Sequence, residues 1–294
     1  MTFRPRWLSL AFGLFVVAVC LFIAVPLLIV VLSSLNETSY SVFPPKGLSL
    51  RWYENLSQQP QFLRALGNSV IASGGATLLA LFTGTLAAVA IHRYPFPGVN
   101  ALRALFMSPM VVPKIALGVA YLILFSKMRI AGGLFALILG EAVIVFPFVL
   151  AFVGSALAQT KPEYEEAASD LGAGPVRAFL TVTLPQLRTS LLLSAAISFI
   201  FTFDQVETAL LILRPENNTL PIELFLYMEK WQDPTIAVVS TIMLLAAVAV
   251  FLILKVVLRS VPDVQRVLRA GDEEGHDATA KKAFRRGRKP DRRD

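Results

Sequence analysis

The sequence predicts an all-α polytopic membrane protein with six transmembrane helices and a short helix in the loop between the fourth and the fifth. Three observations support this prediction. Of the 294 residues, 55% are apolar and 16% are charged, whereas about a quarter of a typical soluble domain is charged. The apolar residues form six blocks of roughly 20 residues or more, the length of helix that crosses a bilayer. The remaining polar chain is too short to cover six such blocks in a soluble protein.

The six predicted spans occupy most of the first 254 residues. The chain beyond them is polar, charged and poor in aromatic residues, a composition typical of disordered segments. We therefore predict a transmembrane domain over residues 1–258 and a disordered, basic cytoplasmic tail over residues 259–294. The predicted spans are residues 8–32, 68–91, 104–125, 134–157, 190–213 and 235–254.

Several local features of the spans fit helices in lipid. The apolar core of the first span is too long for a cleaved signal peptide, so this span is expected to be retained. The second span contains small residues between Ala72 and Gly84, which allow the backbones of neighbouring helices to approach closely. Each proline at positions 26, 109, 113 and 147 predicts a kink. A membrane helix tolerates these prolines because neighbouring helices can satisfy the carbonyl groups that proline leaves free.

Four charged residues lie within the predicted spans: Lys114, Glu141, Asp204 and Glu207. Ionisable residues in a membrane span are costly and usually face an interior pathway. Asp204 and Glu207 are three residues apart, which predicts that they share one face of a helix. They either line a translocation pathway or have another role, in water at the external mouth or in a salt bridge with Lys114. Glu141 presents the same choice between a pathway and helix packing.

The distribution of basic residues predicts the orientation of the chain. Six spans place both termini on the same side of the membrane. Before the tail, the loops on each side hold seven Lys and Arg residues, and the twelve in residues 255–294 raise the count on the terminal side to nineteen. Because cytoplasmic segments carry the excess of Lys and Arg, both termini are predicted to be cytoplasmic.

Composition argues against several other functions. Cys20 is the only cysteine, which excludes a disulfide framework and a cysteine-based metal cluster. The sequence has only two histidines, His92 and His276, which lie far apart in the chain. No metal site is therefore predicted. The sequence has no Gly-rich phosphate-binding loop, so neither ATPase activity nor a catalytic site is predicted. The net charge of +7 resides mainly in the tail, where it favours contact with anionic membrane lipids over nucleic acid.

The largest predicted cytoplasmic connection, residues 158–189, has the pattern of two short helices. The acidic residues within 163–166 favour the start of the first helix, because carboxylates stabilise helix N-termini. Gly172 is a natural C-terminal stop, and Pro175 can begin a second helix. The Leu184-Pro185 pair is expected to end that helix just before the fifth span.

The positions of this connection that carry a resemblance are Glu166, Ala167, Ala168, Gly172, Val182, Leu184 and Pro185. At this spacing they resemble the EAA loop of binding-protein-dependent ABC importer permeases. Six of them match the family pattern, and Val182 stands where the family has isoleucine, a conservative difference. The resemblance implies a multi-pass permease in the inner membrane of a bacterial cell.

In that family the EAA loop couples the permease to a cytoplasmic ATPase dimer. The resemblance therefore implies that these seven residues take part in this coupling. It also implies that ATP binds to the partner ATPase and that this chain holds no cofactor. Two further partners are implied: a second homologous permease subunit and a periplasmic or lipid-anchored solute-binding protein.

Several segments outside the loop carry a further resemblance: Ser49–Tyr53, Asn68-Ser69, Tyr94–Gly98, Met107–Pro113, and Asp204 followed downstream by Leu220-Pro221-Ile222. They are similar to the spermidine/putrescine permease subgroup. This similarity implies a polyamine substrate, although importers of iron, phosphonate and sulfate share several of the same features.

An alternative from a different class is an ion-coupled secondary transporter with Asp204, Glu207 and Glu141 as an ion relay, which inverted repeats would favour.

Trp52, Tyr227 and Trp231 lie in the two longer predicted external loops. Aromatic residues of this kind anchor membrane proteins at the lipid–water interface. The same side chains could instead contact an incoming solute-binding protein. We take interface anchoring as the prediction.

Overall fold

The computed structural model describes residues 6–40, 44–94, 96–161 and 163–259. Over these residues the chain is helical apart from turns, loops and two isolated β-bridges, so the predicted all-α class is confirmed. From position 260 onward the predicted tail lies outside the described residues. The helices are α1 (Arg6–Ser34), α2 (Arg51–Ser57), α3 (Pro60–Arg93), α4 (Val99–Met107), α5 (Lys114–Lys127), α6 (Leu134–Leu157), α7 (Glu163–Asp170), α8 (Pro175–Ala178), α9 (Leu184–Gln186), α10 (Arg188–Phe203), α11 (Glu207–Ile212), α12 (Leu220–Lys230) and α13 (Thr235–Arg259).

Three of the described helices, α1, α3 and α6, are each long and apolar enough to cross a membrane by themselves. The bounds of α6 are those predicted for the fourth span. Apolar side chains are exposed all around α1, among them Phe12, Phe15 and Phe22. A helix that is apolar on every side suits lipid rather than water.

The third predicted span is sharply bent, and the bend lies where Pro113 predicts a kink. The segment Val99–Met110 and α5 form two arms that are bent by 101°. Pro113, at the N-cap of α5, has no N–H to continue a helix and disfavours the helical conformation in the residue before it. With 14 residues α5 is about 21 Å long, which is shorter than a bilayer core of about 30 Å.

The fifth predicted span is also interrupted. α10 ends at Phe203, the chain from Asp204 to Val206 is not helical, and α11 begins at Glu207. At its other end α10 is bent by 69° relative to the segment Pro175–Gln186. Among the described helices, up to five spans are present if each bent pair counts as one, and the apolar part of α13 is shorter. The count of six spans therefore stays a prediction.

Small residues bring α3 and α6 together, as predicted for the second span. Ala76 and Ala80 of α3 are fully buried. A Cβ atom added to Gly84 would lie 2.8 Å from the Cβ atom of Val149 in α6, which leaves no room for a side chain. Contact between small residues permits the close backbone approach that stabilises helix pairs in lipid.

The chain divides into two compact units, Met1–Val238 and Val239–Asp294. The first unit contains α1 to α12 and the start of α13, and its core includes Val145, Val149 and Val153 of α6. The described part of the second unit is the remainder of α13.

Candidate functional site

Two interruptions of the predicted spans meet at a hydrogen bond. One is the bend before Lys114, and the other is the non-helical segment from Asp204 to Val206. The Lys114 Nζ atom donates a hydrogen bond of 2.9 Å to the Gln205 Oε1 atom. Non-helical backbone at membrane depth is tolerated where it is buried in protein or lines a water-filled cavity. We define the polar cluster at this junction as Lys114, Glu141, Gln205, Glu207 and Thr208.

Gln205 links Lys114 to Glu207. Its Nε2 atom donates a hydrogen bond of 3.0 Å to the Glu207 Oε2 atom, and Gln205 is only 2% exposed. An amide bridge therefore takes the place of the salt bridge between Lys114 and an acidic residue that the sequence suggested. Sequence reasoning does not identify Gln205, for which the only signal is a neutral amide between two acidic residues in an apolar span.

Asp204 and Glu207 do not share a helix face, which corrects the prediction made from their spacing. Asp204 is the C-cap of α10 and Glu207 is the first residue of α11, so helical spacing does not apply between them. The Asp204 carboxylate is exposed and has no hydrogen bond or ion pair within the described part of the chain. Glu207 is exposed as well, but Gln205 holds its carboxylate.

Glu141 is the buried carboxyl group of the polar cluster. It is 2% exposed, and its Oε1 atom accepts a hydrogen bond of 2.5 Å from the Thr208 hydroxyl. Its Oε2 atom is buried and has no hydrogen-bond partner among the described residues. Lys114 and Glu207 both interact electrostatically with Glu141. Glu141 therefore contacts the start of α11 and belongs to the same site as Lys114.

A glycine sets the distance between α5 and α11. A Cβ atom added to Gly118 would lie 2.8 Å from the Leu211 Cδ1 atom and 3.2 Å from the Thr208 Cα atom. The Thr208 atom belongs to the backbone, so a larger residue at position 118 requires the two helices to move apart. Gly118 follows Lys114 by about one helical turn, and its small size lets Lys114 reach Gln205.

Over the residues that the structure describes, no group of three or more His, Cys, Asp or Glu side chains is arranged to hold a metal ion. The Thr208 hydroxyl and the Gln205 amide bind the two carboxyl groups.

The connection between the fourth and fifth predicted spans forms two short helices, as the sequence predicts. α7 is followed by Gly172 in the left-handed conformation, with a φ of +87°. The Gly172 N–H donates to the Ser169 carbonyl at 2.9 Å, and the Ala173 N–H donates to the Ala168 carbonyl at 3.0 Å. These two bonds form a Schellman motif, and the predicted helix stop at Gly172 is confirmed.

The second helix of this loop continues beyond its predicted end. It begins at Pro175, as predicted, and passes through a π-helical turn, Phe179–Thr183, to Gln186. The proline of the Leu184-Pro185 pair has no N–H and crowds the carbonyl four residues earlier, which usually breaks a helix. The wider π turn directly before this pair accommodates the missing bond. The bend therefore comes after Gln186 and not at Leu184.

Arg93, the last residue of α3, ties the loop to the second predicted span. Its guanidinium pairs with the Glu165 carboxylate and donates a hydrogen bond of 3.1 Å to the Thr183 hydroxyl. The guanidinium also lies over the Phe179 ring, 5.6 Å from its centroid. One side chain therefore joins both helices of the loop to α3. Sequence reasoning counts Arg93 only as one of several cytoplasmic basic residues.

The same loop presents apolar and acidic side chains at its surface. Leu171 is 91% exposed and Val176 is 70% exposed. Glu166 is exposed and forms no hydrogen bond or ion pair with other described residues. Among the other residues of the EAA resemblance, Ala167 and Pro185 are exposed, and Ala168, Val182 and Leu184 are partly buried.

The aromatic residues of the predicted external loops lie in different environments. Trp52 is 5% exposed and cannot act as an interface anchor, whereas Trp231 is 59% exposed. The Tyr227 hydroxyl donates a hydrogen bond of 2.8 Å to Asp233. Burial and the neighbouring Asp233 carboxylate raise the pKa of Tyr227. An open cavity of about 610 Å³ is lined in part by Glu223, Tyr227, Trp231 and Asp233.

The chain is similar to known transport proteins over most of its length. A family model described as the binding-protein-dependent transport system inner membrane component matches residues 80–262, which include the polar cluster and the loop. The chain is 28% identical over 245 residues to the spermidine/putrescine transport system permease protein PotC of Haemophilus influenzae, covering 83% of this chain and 95% of PotC.

Two further similarities agree with this one. The putrescine transport system permease protein PotI of Escherichia coli (strain K12) is 28% identical over 260 residues, with coverage of 84% of this chain and 92% of PotI. The fold is similar to that of a chain of a bacterial ABC transporter involved in the import of the acidic polysaccharide alginate. That similarity has a TM-score of 0.69 at 14% identity and covers 88% of this chain and 98% of the other.

Proposed function

The chain belongs to the family of binding-protein-dependent transport system inner membrane components, and on this premise we propose that it carries a polyamine such as spermidine or putrescine. As a permease subunit of an ATP-driven importer, it is not an enzyme. Two relatives that match most of the chain are named for spermidine and putrescine transport. The observation that carries the substrate proposal is the polar cluster at the meeting point of two interrupted helices.

The charges of this cluster favour a cationic solute. Glu141, Glu207 and the adjoining Asp204 supply three carboxyl groups, whereas Lys114 supplies one ammonium group. An excess of carboxyl groups attracts cations and repels anions. This balance argues against sulfate and phosphonate as solutes. Iron, which oxygen ligands can bind, is distinguished from a polyamine by the competition experiment below.

The two interruptions support a pathway through the cluster. Broken helices in transporters present backbone groups and side chains to the solute near the membrane midplane. Two such interruptions meet in this chain. The one before Lys114 supplies the donor of the hydrogen bond between Lys114 and Gln205, and the one from Asp204 to Val206 supplies its acceptor. We assign Lys114, Glu141, Asp204 and Glu207 to the wall of the pathway.

The loop from α7 to α9 is the proposed contact with a cytoplasmic ATPase dimer. Leu171 and Val176 offer an exposed apolar surface, and Glu166 offers a carboxylate that no described residue engages. Contact with Arg93 carries movement of this loop to α3. ATP binds to the partner in this proposal, and this chain needs no cofactor.

The remaining partners follow from the same proposal. A second homologous permease completes the pathway, and a periplasmic or lipid-anchored solute-binding protein delivers the substrate from outside. Six spans place both termini in the cytoplasm of the bacterial cell, as the excess of Lys and Arg near the C-terminus favours. The basic tail then lies near the anionic lipids of the inner membrane.

Uptake of labelled putrescine tests the proposal. The chain is expressed with its ATPase, second permease and binding protein in cells that lack their own polyamine uptake. We expect uptake that excess unlabelled spermidine abolishes and that sulfate, 2-aminoethylphosphonate and ferric iron leave unchanged. Competition by one of the latter three, without competition by spermidine, would reassign the substrate.

Inactivation of the ATPase tests the energy source. A catalytically inactive ATPase subunit is expected to abolish uptake while the permease remains in the membrane, as judged by immunoblotting. An ion-coupled secondary transporter would keep its uptake under these conditions and lose it when an ionophore collapses the ion gradient.

A further inference from the structure

The ammonium group of Lys114 lies among groups that recognise alkylammonium ions. The Nζ atom is 2.9 Å from the Gln205 carbonyl oxygen and 4.3 Å from the centroid of the Phe201 ring. An aromatic face attracts a cation at this distance. The Gln205 amide connects this ammonium group to the Glu207 carboxylate. The protein's own cation thus has an oxygen acceptor and an aromatic ring around it, and a carboxylate lies on the far side of the Gln205 amide.

The side chain of lysine is chemically close to the proposed substrate. Four methylene groups end in a primary ammonium group, and putrescine consists of four methylene groups between two primary ammonium groups. A site that accepts the end of the Lys114 side chain therefore has the groups needed to accept one end of a diamine. The choice of putrescine as the diamine rests on the proposed function, whereas the groups around Lys114 do not depend on it.

A second observation marks this site as incompletely filled. The Glu141 Oε2 atom is buried and has no hydrogen-bond partner within the described residues, although Lys114 interacts electrostatically with Glu141. Buried acceptors are normally paired. The ammonium group of Lys114 does not donate a hydrogen bond to Glu141 Oε2. This oxygen can therefore accept a hydrogen bond from a further N–H donor.

We propose that Lys114 occupies a binding site for a primary alkylammonium group, which the substrate takes over during translocation. When the substrate ammonium enters, the Lys114 side chain swings away through its own flexible bonds. Gln205, Phe201 and the acidic groups then hold the substrate in place of Lys114. Between transport events Lys114 returns, and the carboxyl groups are again neutralised without a solute.

Thermal unfolding of the purified importer complex tests this site directly. In Lys114→Ala the site is vacant, and we expect n-butylammonium to raise the melting temperature while n-butanol, of the same length, does not. Wild-type complex should need a concentration of n-butylammonium higher by about tenfold or more, because apparent affinity falls with the fraction of sites left free. Lys114→Arg, which keeps a cation on the side chain, should behave like the wild type.

Two outcomes would overturn the proposal: equal stabilisation of Lys114→Ala by n-butylammonium and n-butanol, or the same response in wild type and Lys114→Ala. If Lys114→Ala does not assemble, Lys114→Met keeps most of the stem length without the charge. Its complex should then bind labelled putrescine, in the absence of binding protein, about tenfold more tightly than wild type, and equal binding would again overturn the proposal.

The outcomes also separate this site from the proposed substrate. Stabilisation of Lys114→Ala by n-butylammonium supports the site even when the wild-type importer takes up no polyamine, a result that would overturn the substrate proposal alone. Polyamine uptake by the wild type without stabilisation of Lys114→Ala would overturn the site alone.

Discussion

The Thr208 hydroxyl donates a 2.5 Å hydrogen bond to the Glu141 carboxyl group and so joins α11 to α6. Both residues are buried within the chain. Glu141 makes no other hydrogen bond among the described residues, because its second oxygen is unpartnered. This hydrogen bond therefore connects the fourth predicted span to the interrupted fifth, and the Phe148 and Phe201 rings, with centroids 5.1 Å apart, pack the same two spans together.

Loss of this hydrogen bond should lower stability. Thr208→Val keeps the shape of the side chain but leaves both oxygens of Glu141 without a donor. We expect a loss of about 1 kcal/mol, in the range measured for hydrogen bonds between membrane helices. Thr208→Ser, which retains the hydroxyl, is the control. Equal unfolding transitions of the Val and Ser variants in detergent would contradict the assigned bond.

The spacing of α5 and α11 should tolerate no side chain at position 118. A Cβ atom there meets the Thr208 backbone and Leu211, so we expect Gly118→Ala to cost about 1–3 kcal/mol. The matched control is Gly74→Ala in α3, where nothing lies within 4 Å of the added atom. The control should be neutral or slightly stabilising, because alanine favours helix over glycine. Denaturation of both variants in parallel checks this difference.

The left-handed turn at Gly172 should matter for coupling. Gly172→Val forces a β-branched residue to a φ of +87°, at a cost of about 1–2 kcal/mol. We expect the second helix of the loop to lose its orientation and solute-driven ATP hydrolysis to fall with uptake. Asn tolerates this conformation, so Gly172→Asn should retain most activity. If the Val and Asn variants couple equally well, the turn is not needed for coupling.

The contact between Arg93 and the loop should transmit movement between α3 and the ATPase. Its ion pair with Glu165 is partly exposed, with 26% of each side chain accessible, so its contribution to stability is about 1 kcal/mol or less. We expect Glu165→Gln to preserve insertion but to reduce the number of solutes moved per ATP. Glu163→Gln, on the same exposed helix, is the matched control. An unchanged ratio in Glu165→Gln would contradict a coupling role.

Substitution of Asp204 distinguishes a role in the translocation pathway from a role in helix packing. Its carboxylate is exposed and has no hydrogen bond or ion pair with other described residues, so Asp204→Asn should change the free energy of unfolding by less than about 0.5 kcal/mol. We expect putrescine uptake to fall clearly at unchanged stability. If uptake and coupled ATP use both match the wild type, Asp204 does not line the pathway.

Local sequence patterns predict those parts of the fold that depend on neighbouring residues. The bounds of α6 follow from the length of its apolar run. The stop at Gly172 follows from the one residue type that readily adopts a positive φ. Small residues likewise predict that the second span packs closely against another helix, because only small side chains permit it; the structure shows that this helix is α6.

The polar cluster could be predicted only in part. Its charged residues can be recognised in the sequence because charges are rare in apolar spans. Gln205 and Thr208 have no such signal, and only the fold brings them into contact with Lys114 and Glu141. The spacing of Asp204 and Glu207 misleads because it assumes a helix that ends at Phe203. Pro113 indicates the break before α5, but no local pattern indicates the break from Asp204 to Val206, where neighbouring parts of the protein can satisfy the freed backbone groups.

The sequence by itself determined that the chain is an all-α membrane protein, that acidic residues lie within its apolar segments and that its loop resembles the EAA motif. Apolar length, helix stops and motif spacing are properties of adjacent residues, so they can be read without knowing the fold. Only the tertiary structure decided that two interrupted helices meet at Lys114 and Gln205 and that Arg93 holds the loop. These contacts join residues that are 72 to 91 positions apart, and such pairings depend on how helix faces pack and not on local composition.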